Sequence, residues 1–339
     1  MAIVHMDAEI IGYHCLNKAL DSNYEALKAL LAAHGSWTAA WHDAKSAYPD
    51  INQEKEAAFL AKLDIALILG SNSEFPALLA EIPWKPHGIY VKGKLPVQPG
   101  IGIVGTRKAT DAGKKIAYEI SKELAALGMA VVSGLALGID AAAHEGALAA
   151  GGITAAVLAT GLDTAYPAHH ANLAAEILRK GGALISEYPP ASASYPSRFI
   201  HRNRIISGLS RGIVAVEAPE KSGSLATARF ALEQNREVFV VPGPATHENY
   251  AGSHDLIRAG ARLITAASHI LEDLNLEPEP TAPEENTLFT GATDEERQIL
   301  GIIKETGWPT SIDKIAEISK IEVRKINQII ARLTIKGTI

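Results

Sequence analysis

Cys15 is the one cysteine among 339 residues. A single thiol excludes an internal disulfide framework and suits a reducing cytosol. No apolar run approaches the roughly 20 residues that a bilayer-spanning helix needs. The opening Met1-Ala2-Ile3-Val4-His5-Met6-Asp7 has neither the cationic start nor the apolar centre of a secretion signal. These absences predict a soluble cytoplasmic protein. Familiar catalytic signatures are missing as well. Without a G-x-x-x-x-G-K-[ST] loop the chain is no P-loop ATPase, and it has no H-E-x-x-H helix and no G-x-S-x-G elbow. The twelve histidines are scattered, and His169, His170 and His254 lack metal-ligand partners at a telling spacing.

A strongly basic balance is absent too, since the net charge is −6. Residues 271–296 hold nine acidic residues and no lysine or arginine. Setting those nine charges against the net −6 leaves the rest of the chain at +3. Any anion must therefore be met by a local patch rather than by a basic body.

At 47% hydrophobic the chain can bury a sizeable core, and its length suggests about two domains at roughly 150 residues each. Residues 1–70 read as helical, with Leu27, Leu30 and Leu31 at helical spacing and Trp37 and Trp41 as core neighbours. Pro83, Pro86, Pro96 and Pro99 mark an extended connection over 71–99. Over 100–274 short apolar runs alternate with helical stretches, from Ile101-Gly102-Ile103-Val104 to Arg262-Leu263-Ile264. That alternation predicts an α/β domain with a mostly parallel sheet covered on both faces, whose ligands sit at the carboxyl ends of the strands. Residues 275–293, with Pro278, Pro280 and Pro283 among glutamates, read as an acidic linker. Three helical stretches over 294–339 suit a helix-turn-helix core that stops at Ile339 before a β-hairpin wing, and a plain protein-binding module fits them equally.

The strand-end loops carry the chemistry. Gly100 to Gly105 matches G-x-G-x-x-G, but its first two glycines lie in or before the strand, so the dinucleotide reading is set aside. Gly105-Thr106-Arg107 offers a close backbone approach, a hydroxyl and a guanidinium fork. Ser133-Gly134 opens the next loop, and Asp140 and His144 stand four residues apart on the following helix, as an acid/base couple or as structural groups. Phe199-Ile200-His201-Arg202-Asn203-Arg204 brings two forks around an amide. It reads either as a surface helix with ordinary ion pairs or as a phosphate-binding segment. Lys221-Ser222-Gly223-Ser224 opens a helix, where the serines serve as cap, as phosphate donors, or as both. Pro242-Gly243 ends a further strand.

Taken in order, these loops together with Gly161-Leu162-Asp163, Tyr166-Pro167, Ser186-Glu187 and Glu217 resemble the DNA-processing protein A (DprA, or Smf) family. The resemblance is strong over 100–270 and weaker at both ends. It implies an extended Rossmann-like sheet between a helical, SAM-like domain over 1–70 and a truncated winged-helix-like domain without its wing. It further implies a homodimer that is not an enzyme, needs no cofactor, binds single-stranded DNA, protects incoming strands in natural transformation and helps load RecA. The DNA-binding residues it implies are Gly105, Thr106, Arg107, Ser133, Gly134, Arg202, Asn203, Arg204, Ser222, Gly223, Ser224, Pro242 and Gly243. Phe199 stands between base stacking and core packing.

Two departures bear on this. Where the family often has a basic residue after Tyr-Pro, this chain has His169-His170, which would make binding pH-sensitive there. His254 stands where the family usually has Asn. The alternative readings are a nucleotide phosphoribohydrolase-like enzyme, with Glu217 or Asp140 as acid or base, and a nucleotide-sensing module. Against the first, Pro242-Gly243-Pro244-Ala245-Thr246 breaks the P-G-G-x-G-T-x-x-E loop of such enzymes.

Overall fold

The computed structural model describes residues 7–277 except 193, residues 295–302 except 297 and 300, and residues 311–335. They fall into two compact units divided between Thr281 and Ala282.

The first unit begins with four helices, α1 (Ala8–Ala19), α2 (Tyr24–His34), α3 (Trp37–Ala44) and α4 (Gln53–Lys62). Asp7, Asn23, Ser36 and Asn52 cap them in turn, each side chain accepting a first-turn N–H. Leu16, Leu27, Trp37, Trp41 and Leu60 bury their inner faces, while Leu30 and Leu31, expected beside Leu27, are only partly buried.

Two strands follow where a plain connection was expected. These are β1 (Ala66–Leu69) and β2 (Gly88–Gly93), with a short helix α5 (Ala77–Ala80) between them. They pair antiparallel with each other, and β2 pairs antiparallel with the parallel sheet beyond. The prolines on either side of β2 conceal it, yet Ile89-Tyr90-Val91 is β-branched and aromatic, as a buried strand requires. The helical segment and the sheet therefore form one unit.

The alternation continues as expected through β3 (Gly100–Val104), α6 (Asp111–Ala126), β4 (Ala130–Ser133), α7 (Ile139–Ala149), β5 (Thr154–Leu158), α8 (Ala171–Arg179) and β6 (Ala183–Ser186). Then come α9 (Pro196–Gly208), β7 (Gly212–Ala215), α10 (Gly223–Glu233), β8 (Glu237–Val240), α11 (Ala251–Arg258), β9 (Arg262–Leu263) and α12 (Ala267–Leu274). The sheet order is β1-β2-β6-β5-β4-β3-β7-β8-β9, parallel from β6 to β9. Successive strand residues face opposite layers. Val131 and Val214 pack with α6, α7 and α12, while Val132, Ile213 and Ala215 pack with α9 and α10. The N-terminal helices cover the other end of the sheet, against Leu67, Leu158 and Leu184.

In the second unit residues 295–296, 298–299 and 301–302 are helical, followed by α13 (Ile312–Ser319) and α14 (Val323–Ile335). Ile299, Ile302, Ile315, Ile326 and Ile329 form its core. The acidic linker beyond residue 277 and the expected absence of a wing at 336–339 lie outside the described residues.

Candidate nucleic-acid interface

From β3 the chain winds to β4 on one side and returns to β7 on the other, so β3 and β7 flank the point where the winding reverses. Open α/β sheets bind ligands outside the strand ends at such a point. A cleft of about 660 Å³ opens there. The turn after β3, the start of α9 and the start of α10 wall it, and Asp140 and Tyr166 are also in its lining.

Nine of the expected residues meet in this cleft: Gly105, Thr106, Arg107, Phe199, Arg202, Asn203, Ser222, Gly223 and Ser224. Arg107 and Lys108 are exposed and hold no ion pair among the described residues. The Arg107 guanidinium lies over the half-buried Phe199 ring, 5.0 Å from its centroid. Tyr166 approaches the same ring at 5.4 Å and a 56° tilt. Phe199 is thus a partly open aromatic surface and not a core residue. Ser222 caps α10 by accepting the Leu225 N–H at 3.4 Å, and its hydroxyl lies 2.8 Å from that of Ser224. The first-turn N–H groups that no intrahelical carbonyl serves suit an anion at this end. Thr106 shapes the turn, its hydroxyl accepting from the Lys108 N–H at 3.2 Å.

The smallness of Gly105 serves the fold. A Cβ there would stand 2.4 Å from the Ile139 side chain, so the turn packs directly on α7. Gly134 makes room in the same way, because its Cβ would lie 2.6 Å from the guanidinium of Arg202.

Arg202 borders the cleft yet is 4% exposed. It donates to the carbonyls of Gly134 and Val157 and, through Nε, to Asn203 Oδ1. Burial pulls its pKa down to about 10 although Asp140 works the other way. Asn203 in turn donates to the Gly223 carbonyl at 3.1 Å, which ties α9 to the start of α10. These two side chains build the cleft wall.

Five expected residues do not line the cleft. Arg204 points elsewhere and donates to Glu187 at 2.6 Å and to the Trp84 carbonyl at 3.0 Å. Burial opposes its charge, but the Glu187 carboxylate more than offsets that and holds the guanidinium above its ordinary pKa. Ser133 is fully buried and donates to the Ile103 carbonyl at 2.6 Å. Gly134 gives its carbonyl to Arg202. Gly243 packs on the Tyr250 ring, and its carbonyl accepts from His254 Nε2 at 3.1 Å. Pro242 lies beside it, off the cleft. His169 and His170 are not part of the lining either. His170 Nδ1 donates to the Leu135 carbonyl at 2.7 Å.

Asp140 and His144 form no couple. Asp140 Oδ2 accepts from the N–H groups of Gly134 at 3.1 Å and Ala136 at 3.4 Å. His144 Nδ1 lies 2.7 Å from Thr154 Oγ1, and that hydroxyl already donates to Val131. Nδ1 must therefore carry the proton, which leaves Nε2 buried without a partner. Burial pushes the His144 pKa down to about 3. Glu217 is fully buried and accepts from Thr110 N and Oγ1, Asn249 Nδ2 and the Tyr250 hydroxyl at 2.5–3.2 Å, so it anchors loops away from the cleft.

Lys108, Tyr166, Ser194, Ile200 and Thr227 line the cleft without having been singled out as site residues. Lys108 had a local signal, as a second cation in the same strand-end turn. The others arrive from distant segments, and only the fold assembles them. No group of histidine, cysteine and carboxylate side chains that could hold a metal occurs among the described residues. No described helix is long and apolar enough to cross a membrane.

A doubly wound, Rossmann-like sheet with a cationic, aromatic-edged cleft at its switch point is the frame on which open α/β proteins hold their ligands. Residues 66–275 match the model of the family described as DNA recombination-mediator protein A, and the chain belongs to that family. It is 39% identical over 279 residues to protein Smf of Escherichia coli K12, covering 80% of this chain and 74% of that one. The X-ray structure of DNA processing protein A from Streptococcus pneumoniae aligns with a TM-score of 0.62 at 30% identity, over 79% of this chain and 94% of that one. DNA processing protein A from Helicobacter pylori, whose structure was described for its single-stranded DNA binding mode, aligns with a TM-score of 0.56 at 28% identity, over 62% and 95%.

Proposed function

We propose that this chain binds single-stranded DNA in the β3–α9–α10 cleft, with little sequence preference, as a recombination mediator. One observation carries the reading: two exposed cations, Arg107 and Lys108, line a strand-end cleft together with the half-buried Phe199 ring, over which Arg107 lies. Single strands need that combination, because phosphates meet cations while any base can stack on an aromatic face. Family membership and the single-strand binding named for the Helicobacter pylori relative support it. The same reading includes a cytoplasmic homodimer that protects incoming strands in transformation and hands them to RecA. Binding without turnover suits the cleft, because its carboxylate Asp140 lies against two backbone N–H groups and has no histidine beside it.

Titration of labelled oligothymidylate against duplex of equal length, at several salt concentrations, tests the proposal. Tight, salt-sensitive binding of the single strand with weaker duplex binding is expected. Equal affinity for both, or no binding, would sink it. Sustained release of free base from nucleoside monophosphates would favour the phosphoribohydrolase reading instead. Co-precipitation with RecA and light scattering test the partner and the dimer.

A further inference from the structure

Trp84 is 59% exposed and forms the outer end of a stack of rings. Its indole lies nearly parallel to the half-buried Tyr24 ring, 18° apart with centroids at 5.9 Å. Tyr24 lies parallel to His87 in turn, 21° apart at 4.7 Å, and the buried Trp37 meets His87 edge-on at 5.5 Å. His87 Nε2 donates to the Tyr24 carbonyl at 3.3 Å, which pins the start of α2 to the segment before β2. The stack is therefore rooted in the core and ends in solvent. An indole with a ring against one face and most of its surface exposed has its other face open. Its backbone is held as well, since the buried Arg204 donates to the Trp84 carbonyl at 3.0 Å. A lone exposed apolar side chain is ordinary, but one backed by a ring and clamped through its main chain is a prepared surface.

The topology puts this ring on the same rim as the cleft. β2 runs antiparallel to β6, with Tyr90 opposite Ser186 and Gly93 opposite Ala183. The residues just before β2 therefore stand at the carboxyl ends of the parallel strands, where the cleft opens. Between the two lies α9. Phe199 and Ile200 line the cleft, while Arg204, further along the same helix, turns to Trp84. At about 100° per residue Phe199 and Arg204 leave opposite flanks, so a helix width of about 10–12 Å separates the cleft from Trp84. Ile200, exposed, lies between them on the helix surface. One turn beyond Tyr24, Lys28 is exposed and holds no ion pair among the described residues. Two carboxylates of this rim are engaged, Asp21 with Arg198 and Glu187 with Arg204. Glu25 is exposed, about 100° round α2 from Tyr24.

We propose that Trp84 is a second base-stacking platform, outside the cleft, for a strand that is held at Phe199. A base further along that strand stacks on the open face of the indole, and its phosphate meets Lys28. This rests on the single-strand reading and extends it to a site of several nucleotides, with one aromatic ring on each flank of α9. Stacking on a ring accepts any base, so the platform adds length to the site without adding sequence preference. It also makes Arg204 a positioning residue, which fixes Trp84 against α9 without touching the strand.

The test compares two thymidylates on the whole protein by calorimetry: a dinucleotide, too short to reach both rings across α9, and an oligomer of about 12 nucleotides. Trp84→Ala should weaken the long oligomer about tenfold, as for one lost stacked base, and leave the dinucleotide unchanged. Trp84→Phe keeps a ring and should bind the long oligomer close to the unaltered protein. In the unaltered protein the long oligomer should quench tryptophan emission and the dinucleotide should not, and Trp84→Phe should lose that quench. Undiminished binding of the long oligomer by Trp84→Ala would overturn the proposal and leave the ring for a protein partner. Equal weakening at both lengths would overturn it too, because that is damage to the cleft. Should Trp84→Ala fail to fold, the length-dependent quench and its loss in Trp84→Phe still decide. Failure of both thymidylates to bind the unaltered protein would instead bring down the single-strand reading beneath it.

Discussion

The guanidinium of Arg204 donates to Glu187 at 2.6 Å, and both residues are buried. Two residues earlier on α9, Arg202 reaches in another direction, to Gly134 and Val157. A helix turns about 100° per residue, so positions two apart point roughly 200° apart and cannot share a groove. Arg204 is therefore a structural residue. Arg204→Met strands a buried carboxylate and should destabilise the fold by about 3–5 kcal/mol. Urea unfolding measures that loss, and the salt dependence of DNA binding by the folded fraction should be unchanged.

Salt dependence instead belongs to the turn after β3. Arg107→Ala and Lys108→Ala should each weaken single-strand binding. Each should also flatten the slope of log K against log salt by about 0.7, the value for one phosphate on a single strand. Fluorescence anisotropy between low and moderate salt reads both slopes. An unaltered slope in both variants would remove the phosphates from this turn.

Phe199→Ala should cost about 1–3 kcal/mol of binding for one lost stacked base and leave the salt slope near that of the unaltered protein. Anisotropy at a single salt concentration shows the first effect, and a salt series the second.

Gly134→Ala places a Cβ 2.6 Å from the Arg202 guanidinium. Overpacking of this kind costs about 1–3 kcal/mol. A lowered denaturation midpoint with an unaltered m-value is the expected result.

His144 gives the fold an acid sensitivity. Its pKa is about 3 in the folded protein, against about 6.5 for an unperturbed imidazole. Above pH 6.5 the ring is neutral in both states and adds no pH dependence. Below it the unfolded chain takes the proton first, so stability falls as pH drops toward 3, by about 1.4 kcal/mol per unit. Between pH 7.5 and pH 5 the unaltered protein should lose about 2 kcal/mol more than His144→Gln. Parallel urea titrations at the two pH values give the difference.

The sheet from β3 to β9 was legible because strands buried on both faces read as unbroken apolar runs. β1 and β2 were not, since a short strand that pairs antiparallel with one nearly a hundred positions later leaves no local period. In the site, Gly105-Thr106-Arg107 could be placed because it follows a strand end directly, and Ser222-Gly223-Ser224 because it opens a helix. The arginines of α9 were legible as a cluster but not as individuals. Which fork is tied to backbone carbonyls and which to a buried carboxylate depends on Gly134 and Glu187, which come from other strand ends. Asp140 and His144 had the spacing of a couple, yet backbone N–H groups claimed one and Thr154 the other.

The antiparallel pairing of β2 with β6 also governs how the molecule can be shortened. Tyr90 to Gly93 satisfy the outer backbone groups of Ala183 to Ser186. A fragment starting at Gly100 would bare that row of donors and acceptors and, with the N-terminal helices gone, uncover Leu158 and Leu184. An open edge beside apolar surface recruits a neighbour's strand. Such a fragment would carry every residue of the cleft and still be driven to pair through that edge, which the first 93 residues cover.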